Sequence, residues 1–399
     1  MMEERKVPVL RFQGFTDEWE AQLFGSFAAR ESKAQISSKA YPCVEYEDII
    51  AGEGVLNKDV RSKGISKKGI KFDNTMVLYG KLRPYLHNML VPEFSGVAVG
   101  DWWVLKPGNV NRRFLYTLLQ TKEFDDKANQ SSGSKMPRAD WNLISRSAFY
   151  IPNLSEEQSK IGAAFANLDW LIFSCKEQLA KLQAFKKSML EKMFPRPGEK
   201  VPEVRFRGFT GDWEEKKLGE LVSITSGYMG DSLLSDGKYR LTRIETISDG
   251  IVDETHIGYT NVKPDSFYLL RKGDILYSNI NSLAHIGKIA MYEGDSILYH
   301  GINLLRLRPT VPLDSHFLMA LLNTSQCRRW ARSRANQAVN QASINQVLLA
   351  SQSIKICSLI EQKQIGLFFR RLDIIITMQQ RKLKKLYSLK QAMLSEMFI

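Results

Sequence analysis

Cysteine, histidine and nucleotide-binding glycine motifs are what this chain has least of. Its four cysteines (Cys43, Cys175, Cys327 and Cys357) stand far apart. That spacing builds neither a zinc site nor a disulfide framework, which fits a reducing cytoplasm. The five histidines (His87, His256, His285, His300 and His316) show no metal-ligand spacing and read as surface or packing residues. No apolar run approaches the ~18 residues of a membrane-spanning helix. The opening MMEERKVPVL is charged and has no signal-peptide core. These absences argue against a membrane partner. A search for catalytic motifs finds no G-x-x-x-x-G-K-[ST] and no G-x-G-x-x-G. Pro-Pro never occurs, so the Asn/Asp-Pro-Pro-aromatic motif of amino-methyltransferases is missing. The Pro264-Asp265 pair has no acidic-x-Lys within about 30 residues after it, so a nuclease-type metal site is unsupported. The chain reads as non-catalytic, without a cofactor or metal of its own.

What is present begins with charge. A net charge of +13 favours a polyanionic partner, nucleic acid first and an anionic membrane second. At 44% hydrophobic and 10% aromatic, the chain can bury full cores, and 399 residues predict at least two domains.

The chain also repeats itself. RFQGFTDEWE (11–20) returns as RFRGFTGDWE (205–214), identical at seven of ten positions. EEQSKIGAAFANLDWLI (156–172) returns as IEQKQIGLFFRRLDIII (360–376), and LQAFKKSMLEKMF (182–194) as LYSLKQAMLSEMF (386–398). The segments between, 21–150 and 215–350, are unlike. A shared frame around different inserts suggests two different contacts made through one geometry.

Each copied tail carries a heptad seam. In the first it runs through Ile161, Phe165, Leu168, Ile172, Cys175, Leu179 and Leu182, then shifts phase to Phe185, Met189 and Met193. In the second it runs through Ile365, Phe369, Leu372, Ile376, Gln379, Leu383 and Leu386, then Leu389, Met393 and Met397. Each tail predicts one long helix, roughly 37 residues and about 55 Å at ~1.5 Å per residue. Each stripe needs a partner, and the other tail is the economical one, in an antiparallel pair that acts as a rigid spacer.

Between the markers the material is mixed. Short β-rich runs (75–80, 98–107, 274–280, 297–309) give way to helical stretches (111–124, 313–333), a polar loop (130–140, 334–345) and an exit strand (147–152, 353–357). The expected class is α/β (α+β), with two pseudo-repeated globular domains joined by two long antiparallel coiled-coil helices. The expected segments are 1–155, domain one; 156–194, first helix; 195–204, linker; 205–358, domain two; and 359–399, second helix.

The doubled order of VPVLRFQGFTDEWE/VPEVRFRGFTGDWE, SEEQSKIGAAFANLD/LIEQKQIGLFFRRLD and KKSMLEKMFPRPG/LKQAMLSEMF resembles the DNA-specificity subunits of type I restriction-modification systems. LYGKLRPYL, KGDILYSNINS and SGSKMPRAD are similar to that family within the variable domains. The resemblance covers essentially the whole chain. It implies two target recognition domains, each reading half of a bipartite sequence in double-stranded DNA. It implies helices that dock methyltransferase (modification) subunits, two of them, and an association with ATP-dependent restriction subunits. S-adenosylmethionine, ATP and Mg²⁺ would belong to those partners, and the complex to the cytoplasm. Two alternatives stand beside it: a specificity subunit of a related system with fused methylation and cleavage, and a repeat scaffold without sequence preference.

DNA contact needs cations for phosphates and amides or guanidinium groups for base edges. In the first domain the candidates are Lys63, Lys67 and Lys68, then Lys81 and Arg83 in a turn, then Ser134, Lys135 and Arg138 in a Gly/Ser loop. In the second they are Tyr228, Asn279, Asn281, Ser282 and His285. The amide-rich loop adds Asn336, Gln337, Asn340 and Gln341, with Arg334 beside it. A solvated polar surface is the plain alternative for each. Trp19 and Trp213 read as core, and of the adjacent Trp102 and Trp103 one should face in and the other out.

Overall fold

The computed structural model describes residues 6–64, 66–130, 136–230, 234–248, 250–338 and 341–399. The chain forms two compact units, Met1–Glu177 with Gln380–Ile399, and Gln178–Gln379. The two long helices are Ser155–Lys192 and Leu359–Glu396, 38 residues each. Each gives one half to each unit, so the units cut across the segments read from the sequence.

In the first unit Asp169 of the first helix pairs with Lys390 of the second, and in the second unit Lys186 pairs with Asp373. Numbers rise along one helix as they fall along the other, so the pair is antiparallel. Leu168, Ile172 and Cys175 are buried on one helix, and Leu372 and Ile376 on the other. Leu179, Leu182, Leu383 and Leu386 are only half-buried. The Gln379 amide donates to Gln178 at 3.0 Å, so this polar seam position is partnered.

The ends of the helices do something else. Ile161 and Phe165 belong to the core of the first unit, which Leu394 and Met397 complete. Ile365 and Phe369 belong to the core of the second, completed by Leu190, Met193 and Phe194. Here the expected seam needs correction. Phe185 and Leu389 are exposed, and Leu190 and Leu394 are buried in their stead. The helix stops facing its twin and starts facing a domain, so its buried stripe rotates.

The copied motifs become a copied construction. Arg11 forms a two-pronged ion pair with Glu157 at 2.7 and 2.8 Å, and Arg205 does the same with Glu361 at the same distances. Both glutamates are almost wholly buried. Trp19 and Trp213 are buried as expected, at 2% and 3% exposure. Phe398 stacks on Phe114 and meets Trp19, while Phe194 meets Phe317 and Trp213. Strand Glu20–Leu23 closes on Ala148–Ile151, and Glu214–Lys217 closes on Ser353–Ile356.

The first unit holds a four-stranded sheet in the order Ala28–Arg30, Trp102–Pro107, Val77–Gly80, Met89–Leu90. The second repeats that order with Val222–Ser226, Leu304–Pro309, Ile275–Ser278 and Ile289–Met291, then extends it by two strands. Trp102 and Trp103 are both buried, against expectation. Alternation does point them to opposite faces, but each face is covered by its own apolar cluster. Each stretch predicted as one helix after the sheet is two: Arg112–Leu118 and Lys122–Ala128, then Ser315–Leu322 and Ser325–Arg334. Thr121 and Thr324 cause the break, because their hydroxyls accept from Phe124 N and Cys327 N and so start a new helix.

Candidate nucleic-acid interface

In the second unit the amide-rich segment is a β-hairpin, not a loop. Asn336–Ala338 pairs with Gln341–Ser343, which also pairs with Ile280–Asn281. Backbone pairing outweighs the low strand propensity of Asn and Gln here, because a third strand anchors the hairpin. Ala342 is buried and fixes the register. Asn336 lies opposite Ser343 and Gln341 opposite Ala338, so Asn336 and Gln341 share one face. Asn336, Gln337 and Gln341 are all exposed, and among the described residues no side-chain hydrogen bond ties them down. Asn340 lies outside the described residues.

The same sheet gathers the candidates near 280, but not all for recognition. Asn279 turns inward: its Nδ2 donates to Ile344 O at 3.3 Å, and its Oδ1 is buried. Asn281 donates to Ser278 Oγ and accepts from Ser282 N. Both amides are committed to holding the strand and turn, which corrects their assignment as base readers. Ser282 and His285 remain exposed on the turn. Tyr228 is half-buried, its N–H bonded to His300 O and its ring edge-on to Tyr268, so it is largely a packing residue. Burial pushes the His300 imidazole down to about 3, so it is neutral, and its Nε2 bonds to Leu304 O.

Sequence reasoning read the stretch before the hairpin as helical and named Arg334, but passed over the other arginines on it. Ser325–Arg334 reads SQCRRWARSR, with four arginines and no carboxylate. Arg328 is structural, donating to Gly287 O at 2.6 Å and to Asn323 Oδ1 at 2.7 Å. Arg329, Arg332 and Arg334 are exposed, as is Lys288 on the adjoining turn. Among the described residues none of these four has an ion-pair partner. The signal was in the sequence as arginine density just before the amides.

In the first unit the turn after Val77–Gly80 meets the segment after residue 135. Arg83 N donates to Pro137 O, Ala139 N donates to Lys81 O, and Leu82 bridges Arg138. Lys81, Arg83 and Arg138 thereby lie on adjoining stretches of backbone, and Asp101 pairs with Lys81 at 3.4 Å and Arg138 at 3.0 Å. Burial opposes the Asp101 charge, but the Arg138 bond and both cations hold its carboxyl below the usual range. Arg83 has φ of 49°, an uncommon left-handed conformation for a non-glycine residue, of the sort that clusters at functional sites. Ser134 and Lys135 lie outside the described residues.

The lysine run divides. Lys63 bonds Glu45 and Asp48, both at 2.7 Å, with 10% of its side chain exposed. It is a half-buried ion-pair partner, a correction to its assignment as a phosphate contact: its charge is already matched by two carboxylates. Lys67 also bonds Glu45 but stays partly open. Lys68 is exposed with no ion pair among the described residues. The other histidines are accounted for by packing and pairing: His87 with Asp125, His256 with Asp253 and His316 with Glu293. Among the described residues no three His, Cys, Asp or Glu side chains are grouped to hold a metal ion, and no helix is long and apolar enough to cross a membrane.

Residues 210–387 match the family described as type I restriction modification DNA specificity domain. The MjaVIII type I restriction enzyme specificity subunit of Methanocaldococcus jannaschii is 21% identical over 405 residues, covering 95% of this chain and 92% of that protein. This chain is similar to the specificity subunits of type I restriction enzymes. The MjaX specificity subunit of the same organism is 38% identical over 193 residues, 47% of this chain; the match spans 45% of that relative's length. A crystal structure of a type I restriction-modification S subunit from M. genitalium shares the fold, with a TM-score of 0.67, 14% identity, and coverage of 98% of this chain and 99% of that one. The specificity domain matched in this chain contains both the arginine helix and the amide hairpin.

Proposed function

We propose that this chain is the DNA-reading subunit of a type I restriction-modification complex, each unit reading one half of a bipartite target. The observation that carries this is the exposed amide hairpin standing beside unpaired arginines in the second unit. Amides and arginines of this kind present the donor–acceptor pairs that base edges and phosphates require. The basic turn Lys81–Arg83 with Arg138 plays the corresponding part in the first unit. The unlike inserts support two different half-sites. The specificity-subunit names of its relatives support the same reading. The chain does no chemistry itself. Modification subunits, two of them, dock on its long helices and bring S-adenosylmethionine, while ATP and Mg²⁺ serve restriction subunits. The complex works in the cytoplasm.

Methylome sequencing of cells with and without this gene, its partners kept, tests the proposal. The expected result is one bipartite methylated motif that disappears with the gene. An unchanged methylome, from cells in which the partner subunits are active with another specificity subunit, would sink it.

A further inference from the structure

We propose that the two units grip DNA through different elements: Arg329, Arg332 and Arg334 of the second unit clamp the phosphate backbone, while the equivalent helix of the first unit does not touch it. This rests on the DNA-reading function proposed above and goes further, by placing a phosphate anchor on a helix of the second unit whose counterpart in the first unit has none.

The two helices are the same element by construction. Lys122–Ala128 follows a helix capped by Asn111, and Ser325–Arg334 follows one capped by Asp314. Thr121 Oγ1 donates to Leu118 O at 2.8 Å, and Thr324 Oγ1 to Leu321 O at 2.8 Å. Counting from those caps, Asp125 stands where Arg328 stands, and Asp126 where Arg329 stands. The first helix reads KEFDDKA, with three carboxylates, and its lysines are taken up by Asp126 and Glu123 within the helix. The second has arginines only, with no carboxylate to meet them.

The physics then separates the two. Phosphates repel a helix bearing three carboxylates and attract one bearing unpaired guanidinium groups, and each phosphate contact releases counterions. Arg332 leans on Ala284 O at 3.5 Å, beside the turn that carries His285 and Lys288. Arg334 lies two residues before Asn336, the first residue of the hairpin. A backbone anchor is thus joined directly to the amides, which fixes the register in which they meet bases.

The test uses the complex with its modification subunits and binds two DNAs across a salt series: the methylated-motif sequence and random DNA of equal length. Arg329→Gln, Arg332→Gln and Arg334→Gln are combined; Arg328 is left alone because it holds Gly287. The expected outcome is a salt slope shallower by roughly two to three units, at about 0.9 per phosphate, with both DNAs weakened alike. The triple lysine variant should keep the slope, and Lys122→Gln with Lys127→Gln should leave it unchanged. A triple glutamine variant that melts as wild type and keeps the wild-type slope would overturn the proposal. An equal loss from the Lys122 and Lys127 changes would overturn its asymmetry. Wild-type complex showing no preference for the motif would instead count against the DNA-reading function itself.

Discussion

Asn336, Gln337 and Gln341 have exposed amides on an anchored hairpin, whereas Asn279 and Asn281 have theirs bonded within the fold. The two groups should respond differently to alanine. Changing Asn336 and Gln341 together should lower the preference for target over random DNA, by about 1–3 kcal/mol for each lost bidentate pair, with stability unchanged. Changing Asn279 should lower the melting temperature first. Binding and melting measured side by side decide this; specificity intact in the Asn336/Gln341 variant would show that another surface reads the bases. Lys63 offers a contrasting case. Its loss leaves Asp48 buried with one fewer partner, and roughly 1–3 kcal/mol of stability should go. The bonds from Lys63 and Lys67 hold the Glu45 carboxyl below its ordinary value. A carboxyl so lowered stabilises above the unfolded pKa, and that contribution is lost as pH falls through the folded one. The Lys63 variant and wild type should therefore differ in urea denaturation at neutral pH and converge well below about pH 4. A gap that persists in acid would mean that Lys63 acts by packing alone.

At the scale of elements, the long helices are fitted to their domains by one glycine each. A Cβ on Gly162 would come within 2.8 Å of Phe114 N and of Arg113 Cβ. On Gly366 it would meet Asp314 Oδ1 at 2.2 Å and Phe317 N at 2.9 Å. In both units the helix crosses the start of another helix at backbone contact. Alanine is the better helix former by about 1 kcal/mol, so an exposed helical glycine would gain from the change. Here the clash should win, because the neighbouring atoms include backbone, and overpacking costs about 1–3 kcal/mol. Gly162→Ala and Gly366→Ala are each expected to lower the thermal midpoint. A rise in either midpoint would show that the helix can lift off its neighbour without loss. The two arginine pins, Arg11 to Glu157 and Arg205 to Glu361, hold the chain ahead of each domain to the same helices. Removing either arginine strands a buried glutamate, a loss on the order of 3–5 kcal/mol.

At the scale of the whole molecule, the repeat makes the domains exchangeable. Each is closed by a strand pair, Glu20–Leu23 with Ala148–Ile151 in the first unit. Cuts should therefore fall between the two strands, not within either strand. Replacing residues 24–147 with the matching segment of a relative that reads another sequence should change one half of the methylated motif and leave the other half unaltered. Methylome sequencing of the chimera reads both halves at once. Both halves changing would mean that the units do not read independently.

What the sequence determined by itself was the periodic and the duplicated. Heptad spacing marked the long helices, and the copied Arg-Phe, Trp and Glu-Gln positions marked the frame, because local period and self-similarity need no tertiary knowledge. Candidate residues were chosen by chemical type, and type alone could not separate Lys63, which is held between two carboxylates, from Lys68, which is exposed. Nor could it separate Asn281 from Asn336. Those distinctions depend on contacts between residues far apart in sequence: Glu45 with Lys63, Ile280–Asn281 with the hairpin, Ala284 with Arg332. The amide segment looked like a loop because its strand is stabilised by a partner some 60 residues away rather than by its own propensity. Tertiary structure alone decided which polar groups are satisfied inside the fold and which are left exposed, since desolvation and hydrogen bonding are settled by neighbours in space.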